Sequence, residues 1–138
     1  MSAPVLQVEG LVKHFPAGRG ATVHAVNRVS FTIREGETLG VVGESGSGKS
    51  TIGRAAIRLV QPTAGIVRFR GRDITALPES ACRPLRAEMQ MVFQDPWSAL
   101  NPRIRIGELI AEPLKLHTKL SAAERRDQAE ALARRVRL

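Results

Sequence analysis

The sequence contains very little cysteine and no long apolar run. Its 138 residues include one cysteine, Cys82, which has no disulfide partner and no metal-ligand neighbours in the sequence. We therefore expect a small, partly buried side chain without a chemical role. No stretch approaches the roughly 18 uninterrupted apolar residues of a membrane-spanning helix. The opening residues, Met-Ser-Ala-Pro, also lack the charged and apolar blocks of a signal peptide. These absences favour a globular chain that stays in the cytosol.

Aromatic residues are also scarce, at 4%, although the chain is basic: 21 Lys and Arg face 13 Asp and Glu, a formal net charge of +8. Such a charge raises the question of a polyanionic partner. However, the tightest group of arginines, in residues 125–137, is interspersed with acidic residues, which is typical of a solvated helix face. No strand or helix pattern interleaves aromatic with basic residues. We therefore predict no nucleic-acid partner.

The first half of the chain shows a strand, a glycine-rich loop and a helix in succession. Alternating apolar side chains predict strands at 6–11 and 23–33. Residues 38–42 (TLGVV) are mostly apolar and predict a strand buried on both faces. Helical spacing of apolar residues follows in 52–60, until Pro62 ends the pattern.

The second half begins with strands and ends with helices. Alternation predicts a strand at 65–70. The pattern then predicts a short helix at 78–87 and a further strand at 89–93. From Ile106 the pattern is helical. Residues 121–124 (SAAE) form a capping box, in which the Ser and Glu side chains satisfy backbone N–H groups of the first helical turn.

Residues 43–50 (GESGSGKS) match the P-loop pattern G-x-x-x-x-G-K-[ST], and they lie between a predicted strand and a predicted helix. The glycines allow successive backbone N–H groups to point at phosphate oxygens, assisted by the helix dipole. We expect Lys49 to reach the β- and γ-phosphates and Ser50 to bind Mg²⁺. The predicted phosphate-binding residues are Gly43, Ser45, Gly46, Ser47, Gly48, Lys49, Ser50 and Thr51.

The competing interpretation is a glycine-rich turn with an incidental lysine, and the flanking strand and helix patterns disfavour it. A GTPase is also disfavoured, because the sequence contains no Asn-Lys-x-Asp element of guanine specificity.

Residues 26–33 (VNRVSFTI), the P-loop and residues 61–65 (QPTAG) occur in an order that resembles the ATP-binding subunits of ABC transporters. Residues 91–103 (MVFQDPWSALNPR) resemble the Q-loop of the peptide and nickel importer branch, with Ala99 in place of the usual serine. The resemblance implies an α/β fold. A P-loop NTPase core with an antiparallel β subdomain would occupy 1–94, and the start of a helical subdomain 95–138. Together they would form an incomplete ABC ATPase domain.

The resemblance also implies roles for two residues outside the P-loop. Gln94 is similar to the Q-loop glutamine that touches Mg²⁺ and the attacking water, and would be a catalytic and metal-binding residue. The alternative is a plain polar residue at the end of a strand. Phe15 stands where the family places an aromatic ring that stacks on adenine, and a π-face suits any flat base. A phenylalanine of the hydrophobic core is the alternative.

As implied by the resemblance, the cofactors are ATP and Mg²⁺, and the function is to couple ATP binding and hydrolysis to the uptake of peptides or related small solutes. The implied partners are a second ATP-binding subunit, identical or not, and membrane permease subunits contacted through the Q-loop region. A solute-binding protein would take part indirectly. The subunit would be peripheral, at the cytoplasmic face of the cell membrane.

Three of the family's catalytic elements do not occur in the sequence: the Leu-Ser-Gly-Gly-Gln signature, the apolar strand that ends in Asp-Glu, and the switch histidine. We therefore expect this chain alone to bind ATP without hydrolysing it, because the general base is missing. Our preferred hypothesis is a partial ATPase subunit whose complete form hydrolyses ATP. The alternative is a short nucleotide-binding module, or remnant, without turnover.

Overall fold

The computed structural model describes residues 4–95 and 100–137. They belong to two compact units, of which the first ends at Cys82 and the second begins at Arg83. The predicted division at 94/95 follows the Q-loop rather than compactness, and it remains a prediction.

The first unit contains a four-stranded antiparallel sheet. Its strands are β1 (Pro4–Pro16), β2 (Thr22–Arg34), β3 (Ala64–Phe69) and β4 (Arg72–Asp73), in the spatial order β2-β1-β3-β4. The strands predicted at 6–11, 23–33 and 65–70 are thus confirmed, the first of them longer at both ends. Burial alternates along β3, at Val67 and Phe69, and less strongly along residues 29–33 of β2, whereas the buried Val8 and Leu11 of β1 lie on either side of a register shift.

The pairing of β1 with β2 is irregular near the start of β2. Lys13 pairs with Val26 and the next residue, His14, pairs with His24, so that Ala25 is left as an extra residue on β2. This two-against-one arrangement is a β-bulge, which bends a strand and redirects the groups of the extra residue.

The helix after the glycine loop, α1 (Lys49–Ala56), packs against β1 and β2. Ala55 and Ala56 are buried, and the core of this unit also includes Val8, Leu11, Val26, Val67, Phe69, Ile74 and Cys82. Cys82 is fully buried, more than the partial burial we expected. The helix is shorter than predicted, because the chain leaves it at Ile57.

Arg58 follows α1 with a positive φ of 59° and is a buried charged residue. Its Nε donates a hydrogen bond to the Ile74 carbonyl at 2.8 Å and its Nη2 donates to the Leu77 carbonyl at 2.9 Å. The guanidinium therefore ties the end of α1 to the segment after β4.

Two predicted strands are absent from the described part of the chain. Residues 38–42 form no strand, and Val42 is 97% exposed, so the prediction of a strand buried on both faces is wrong here. Residues 89–93 also form no strand, and Val92 is 94% exposed. A strand needs neighbours for its backbone N–H and C=O groups, and the four-stranded sheet described above pairs with neither segment.

The short helix predicted at 78–87 occurs as α2 (Glu79–Cys82), which ends the first unit, and a 3₁₀ helix (Arg83–Ala87), which begins the second. The second unit continues with α3 (Ile106–His117) and α4 (Ala122–Arg135), which pack against each other.

The predicted capping box is confirmed: Ser121 Oγ accepts from the Glu124 N–H, and Glu124 Oε2 accepts from the Ser121 N–H at 2.7 Å. Hydrogen bonds to the carboxylate from the Ser121 side chain and from the Ser121 backbone N–H lower the pKa of the Glu124 carboxyl. Within the ranges that the structure describes, no helix is long and apolar enough to cross a membrane.

Candidate nucleotide-binding site

The loop at 43–48 has the backbone that its glycines predict. Gly46 has φ of +80° and Gly48 has φ of +92°, values in the region that favours glycine. The Ser47 N–H donates to the Glu44 carbonyl at 3.2 Å and closes a turn. Gly43 lies against Ser47, since an added Cβ at Gly43 would be 2.8 Å from the serine Oγ. The loop is therefore a compact turn that leads directly into α1.

The loop also lies against the sheet at the β-bulge. A Cβ added at Gly48 would be 2.2 Å from the Ala25 carbonyl oxygen, which leaves room for no side chain. Position 48 thus requires glycine for two reasons: its φ is positive, and it lies too close to β2 for a side chain. Ala25 was missed by the sequence reasoning, and a backbone carbonyl on a bulge leaves no side-chain signal by which to find it.

The N-terminus of α1 has no side-chain cap in the described structure. The N–H groups of Gly48, Lys49, Ser50 and Thr51 belong to the first turn, which has no preceding turn to supply acceptors. Together with the helix dipole, they give this end of α1 a partial positive charge suited to an anion. The Ser50 side chain is exposed in the same turn.

Lys49 folds back over the loop. Its Nζ donates to the carbonyl oxygens of Gly43, at 2.7 Å, and Glu44, at 2.5 Å, and lies 3.4 Å from Ser47 Oγ. Three acceptors hold the ammonium group in place without neutralising its charge, because none of them is a carboxylate. Glu44 is a variable position of the P-loop pattern, and it was missed because it contributes through its backbone.

Phe15 lies near the end of β1 and is 37% exposed, so it is outside the buried core. It pairs with Val23, which lies two residues before Ala25 on β2. Two residues span about 7 Å along a strand. Phe15 is therefore on the part of the sheet that the glycine loop approaches. The Lys13 Nζ lies 4.7 Å from the centre of the Phe15 ring, in a cation–π contact. Its stacking on adenine remains a prediction.

Gln94 belongs to the second unit and is exposed, with no strand before it. The structural setting assumed for it, the end of a strand, is not formed, and its catalytic and metal-binding roles remain predictions. The Q-loop resemblance continues through Pro96, Trp97, Ser98 and Ala99, which lie outside the described residues. In the ranges 4–95 and 100–137, no group of three or more His, Cys, Asp or Glu could hold a metal ion.

An antiparallel β subdomain and a glycine loop that opens a helix define an α/β protein of the P-loop class. The family model for ABC transporters matches residues 26–138. The chain belongs to the ABC transporter family.

The names of curated relatives describe transport proteins. The chain is 52% identical over 114 residues to YkfD, a putative oligopeptide transport ATP-binding protein of Bacillus subtilis, across 83% of this chain and 35% of that protein. It is 43% identical to the di/tripeptide transport ATP-binding protein DppF of Pseudomonas aeruginosa, across 97% of this chain and 43% of that one. The chain thus spans about two fifths of the length of such relatives.

A solved structure confirms the predicted fold class. The dimeric post-hydrolysis state of the ATP-binding cassette MJ0796, bound to ADP and Pi, matches with a TM-score of 0.84 and 27% identity, covering 96% of this chain and 57% of that one. The part of the cassette present here is therefore an incomplete ABC ATPase domain with an antiparallel β subdomain and helices.

Proposed function

We propose that the chain is part of the ATP-binding subunit of an ABC importer, which couples ATP binding and hydrolysis to the uptake of peptides or related small solutes. The observation that carries the proposal is the loop and helix start at 43–51. There, uncapped N–H groups and the Lys49 ammonium converge on one loop. The transport names of the relatives support the choice of solute.

The residues of the loop fit a nucleoside triphosphate. The N–H groups from Gly46 to Thr51 would bind phosphate oxygens, and Lys49 would exchange its carbonyl partners for the β- and γ-phosphates. Gly43, Ser45, Ser47 and Gly48 would shape the loop.

Ser50 and Gln94 are our candidates for contact with Mg²⁺. Bound with ATP, Mg²⁺ would supply positive charge that offsets the negative charge of the phosphates. The exposed Ser50 hydroxyl lies in the first turn of α1, next to the proposed phosphate positions. Oxygen donors of this kind are those that Mg²⁺ prefers, with the remaining ligands supplied by phosphate and water. Gln94 is assigned by the Q-loop resemblance, and there it would also orient the attacking water.

Phe15 is our candidate for stacking on the base. Its ring is partly exposed, and one face already holds the Lys13 ammonium at 4.7 Å. A base that stacked on this face would displace Lys13, whereas a base on the other face would leave the cation–π contact in place.

The proposed partners are a second ATP-binding subunit and membrane permease subunits, with a solute-binding protein acting indirectly. Dimeric ATP-binding cassettes of similar fold support the first partner, and the transport names of relatives support the others. The subunit would then lie at the cytoplasmic face of the cell membrane. The Q-loop region would contact the permease subunits.

The test is protection of the chain by Mg·ATP against thermal unfolding. A ligand at a hundred times its Kd stabilises the folded state by about 2.7 kcal/mol. Lys49→Ala should abolish this protection, because it removes the ammonium group that the loop holds. Lys119→Ala is the matched control, since it removes an exposed lysine between α3 and α4 and should keep the protection. Equal protection of the Lys49 variant and the unmutated chain would refute the phosphate assignment.

A further inference from the structure

His14 and His24 face each other across β1 and β2. They are register partners, with ring centroids 4.0 Å apart and ring planes inclined by 57°. His14 is half-buried and His24 is exposed, so that water reaches the pair from one side. The predicted nucleotide chemistry uses neither residue.

The ring nitrogens of this pair are available. The His14 backbone N–H donates to Thr63 Oγ1 at 3.0 Å, which fixes the main chain at this position. In the part of the chain that the structure describes, neither histidine forms a hydrogen bond or ion pair through an imidazole nitrogen. Four ring nitrogens are thus placed close together, without partners among the residues that the structure describes.

We propose that His14 and His24 form a two-histidine site for a divalent transition-metal ion of the Zn²⁺ class, with water as the remaining ligands. Zinc binds imidazole nitrogen at about 2.0–2.1 Å, so two nitrogens on one tetrahedral ion lie about 3.3 Å apart. The ring centres are 4.0 Å apart, and binding would require side-chain rotation that turns one nitrogen of each ring toward a common ion. Imidazole suits zinc, copper and nickel, whereas Mg²⁺ prefers oxygen. The site is therefore chemically distinct from the cation proposed to accompany ATP.

The ion would cross-link the two strands at the β-bulge. His24 immediately precedes Ala25, the extra residue of the bulge, whose carbonyl lies against Gly48 of the loop. A bulge interrupts the backbone ladder, and a metal held by one side chain from each strand would tie the strands together at that interruption. Metal binding should therefore stabilise the first unit, because the folded state holds the two imidazoles together.

The test uses the untagged chain, free of nucleotide, titrated with ZnCl₂ in a calorimeter. We expect one ion per chain. His24→Gln is the principal variant because that side chain is exposed and its loss should leave the fold intact, and His14→Gln is the second. Each substitution should weaken zinc binding by at least about tenfold. Losing a residue that only supports a metal ligand already costs about tenfold or more, and here a ligand itself is removed. His117→Gln, which changes the last residue of α3, is the matched control and should bind zinc like the unmutated chain.

Thermal unfolding provides a second measurement. Zinc should raise the Tm of the unmutated chain and of His117→Gln, and should leave that of His24→Gln unchanged. An unmutated chain that gives no binding heat with ZnCl₂ would show that the pair is a ring contact only, and the proposal would be wrong. Equal zinc affinity of His24→Gln and the unmutated chain would overturn it as well.

Discussion

Replacing Gly48 by alanine probes the contact between the glycine loop and β2. In the structure this residue combines φ of +92° with an approach to the Ala25 carbonyl, where an added Cβ would be 2.2 Å from the oxygen and 3.3 Å from its carbon. The obstacle is backbone, so no side-chain rotation relieves it. Alanine can be accommodated only if the loop and the bulge move apart.

The cost has two parts. Left-handed backbone costs an L-residue about 1–2 kcal/mol, and forcing extra volume into a packed contact costs about 1–3 kcal/mol. Gly48→Ala should therefore lower the free energy of unfolding by about 2–5 kcal/mol. Gly46→Ala isolates the first part, because its φ is +80° but a Cβ there meets nothing within 4 Å. Its cost should be about 1–2 kcal/mol.

Gly40→Ala is the control for the loss of glycine itself, since this position has neither a positive φ in the structure nor an atom within 4 Å of the added Cβ. Its effect should stay within about 0.5 kcal/mol. Urea unfolding of the three variants should therefore rank Gly48 as the most costly, Gly46 as intermediate and Gly40 as neutral. Equal costs at Gly48 and Gly46 would show that the loop does not lie against Ala25.

Three further changes test other features of the molecule. Phe15→Ala should weaken binding of ATP and GTP alike, measured by ligand-induced stabilisation, because stacking needs no base-specific hydrogen bonds; a loss for one nucleotide only would contradict stacking. Arg58→Met should lower the unfolding free energy in urea by about 2–4 kcal/mol, because two carbonyls lose a charged donor. A neutral result would show that the guanidinium is dispensable. In the capping box, the lowered pKa of Glu124 means that the carboxylate stabilises the folded state above its unfolded pKa and that this contribution is lost as pH falls through the folded pKa. Ser121→Ala should raise the NMR titration midpoint of Glu124, and an unchanged midpoint would show that the capping box does not set it.

Features that depend on a few neighbouring residues could be predicted from the sequence. The P-loop pattern located the turn at 43–48, because its glycines meet a local backbone requirement at Gly46 and Gly48. The capping box at 121–124 is also local, and the alternation in β1, β2 and β3 requires only that one sheet face be buried.

Features set by pairing could not be predicted in this way. Residues 38–42 have the composition of a buried strand, but a strand also needs neighbours, and these are not in the described sheet. The bulge at Ala25 and the facing of His14 and His24 depend on the register between two strands. The burial of Arg58 depends on carbonyls 16 and 19 residues further along the chain.

The exposed segment at 38–42 also has a consequence for how the chain behaves in solution. Leu39, Val41 and Val42 are 41%, 47% and 97% exposed, in a stretch without charge or proline. Unpaired apolar backbone of this composition is a template for β-pairing between molecules. Self-association through this segment would make the apparent stability of the chain rise with protein concentration. Unfolding curves of different variants are therefore comparable only at matched concentrations, and a charged substitution at Val42 would separate folding from association.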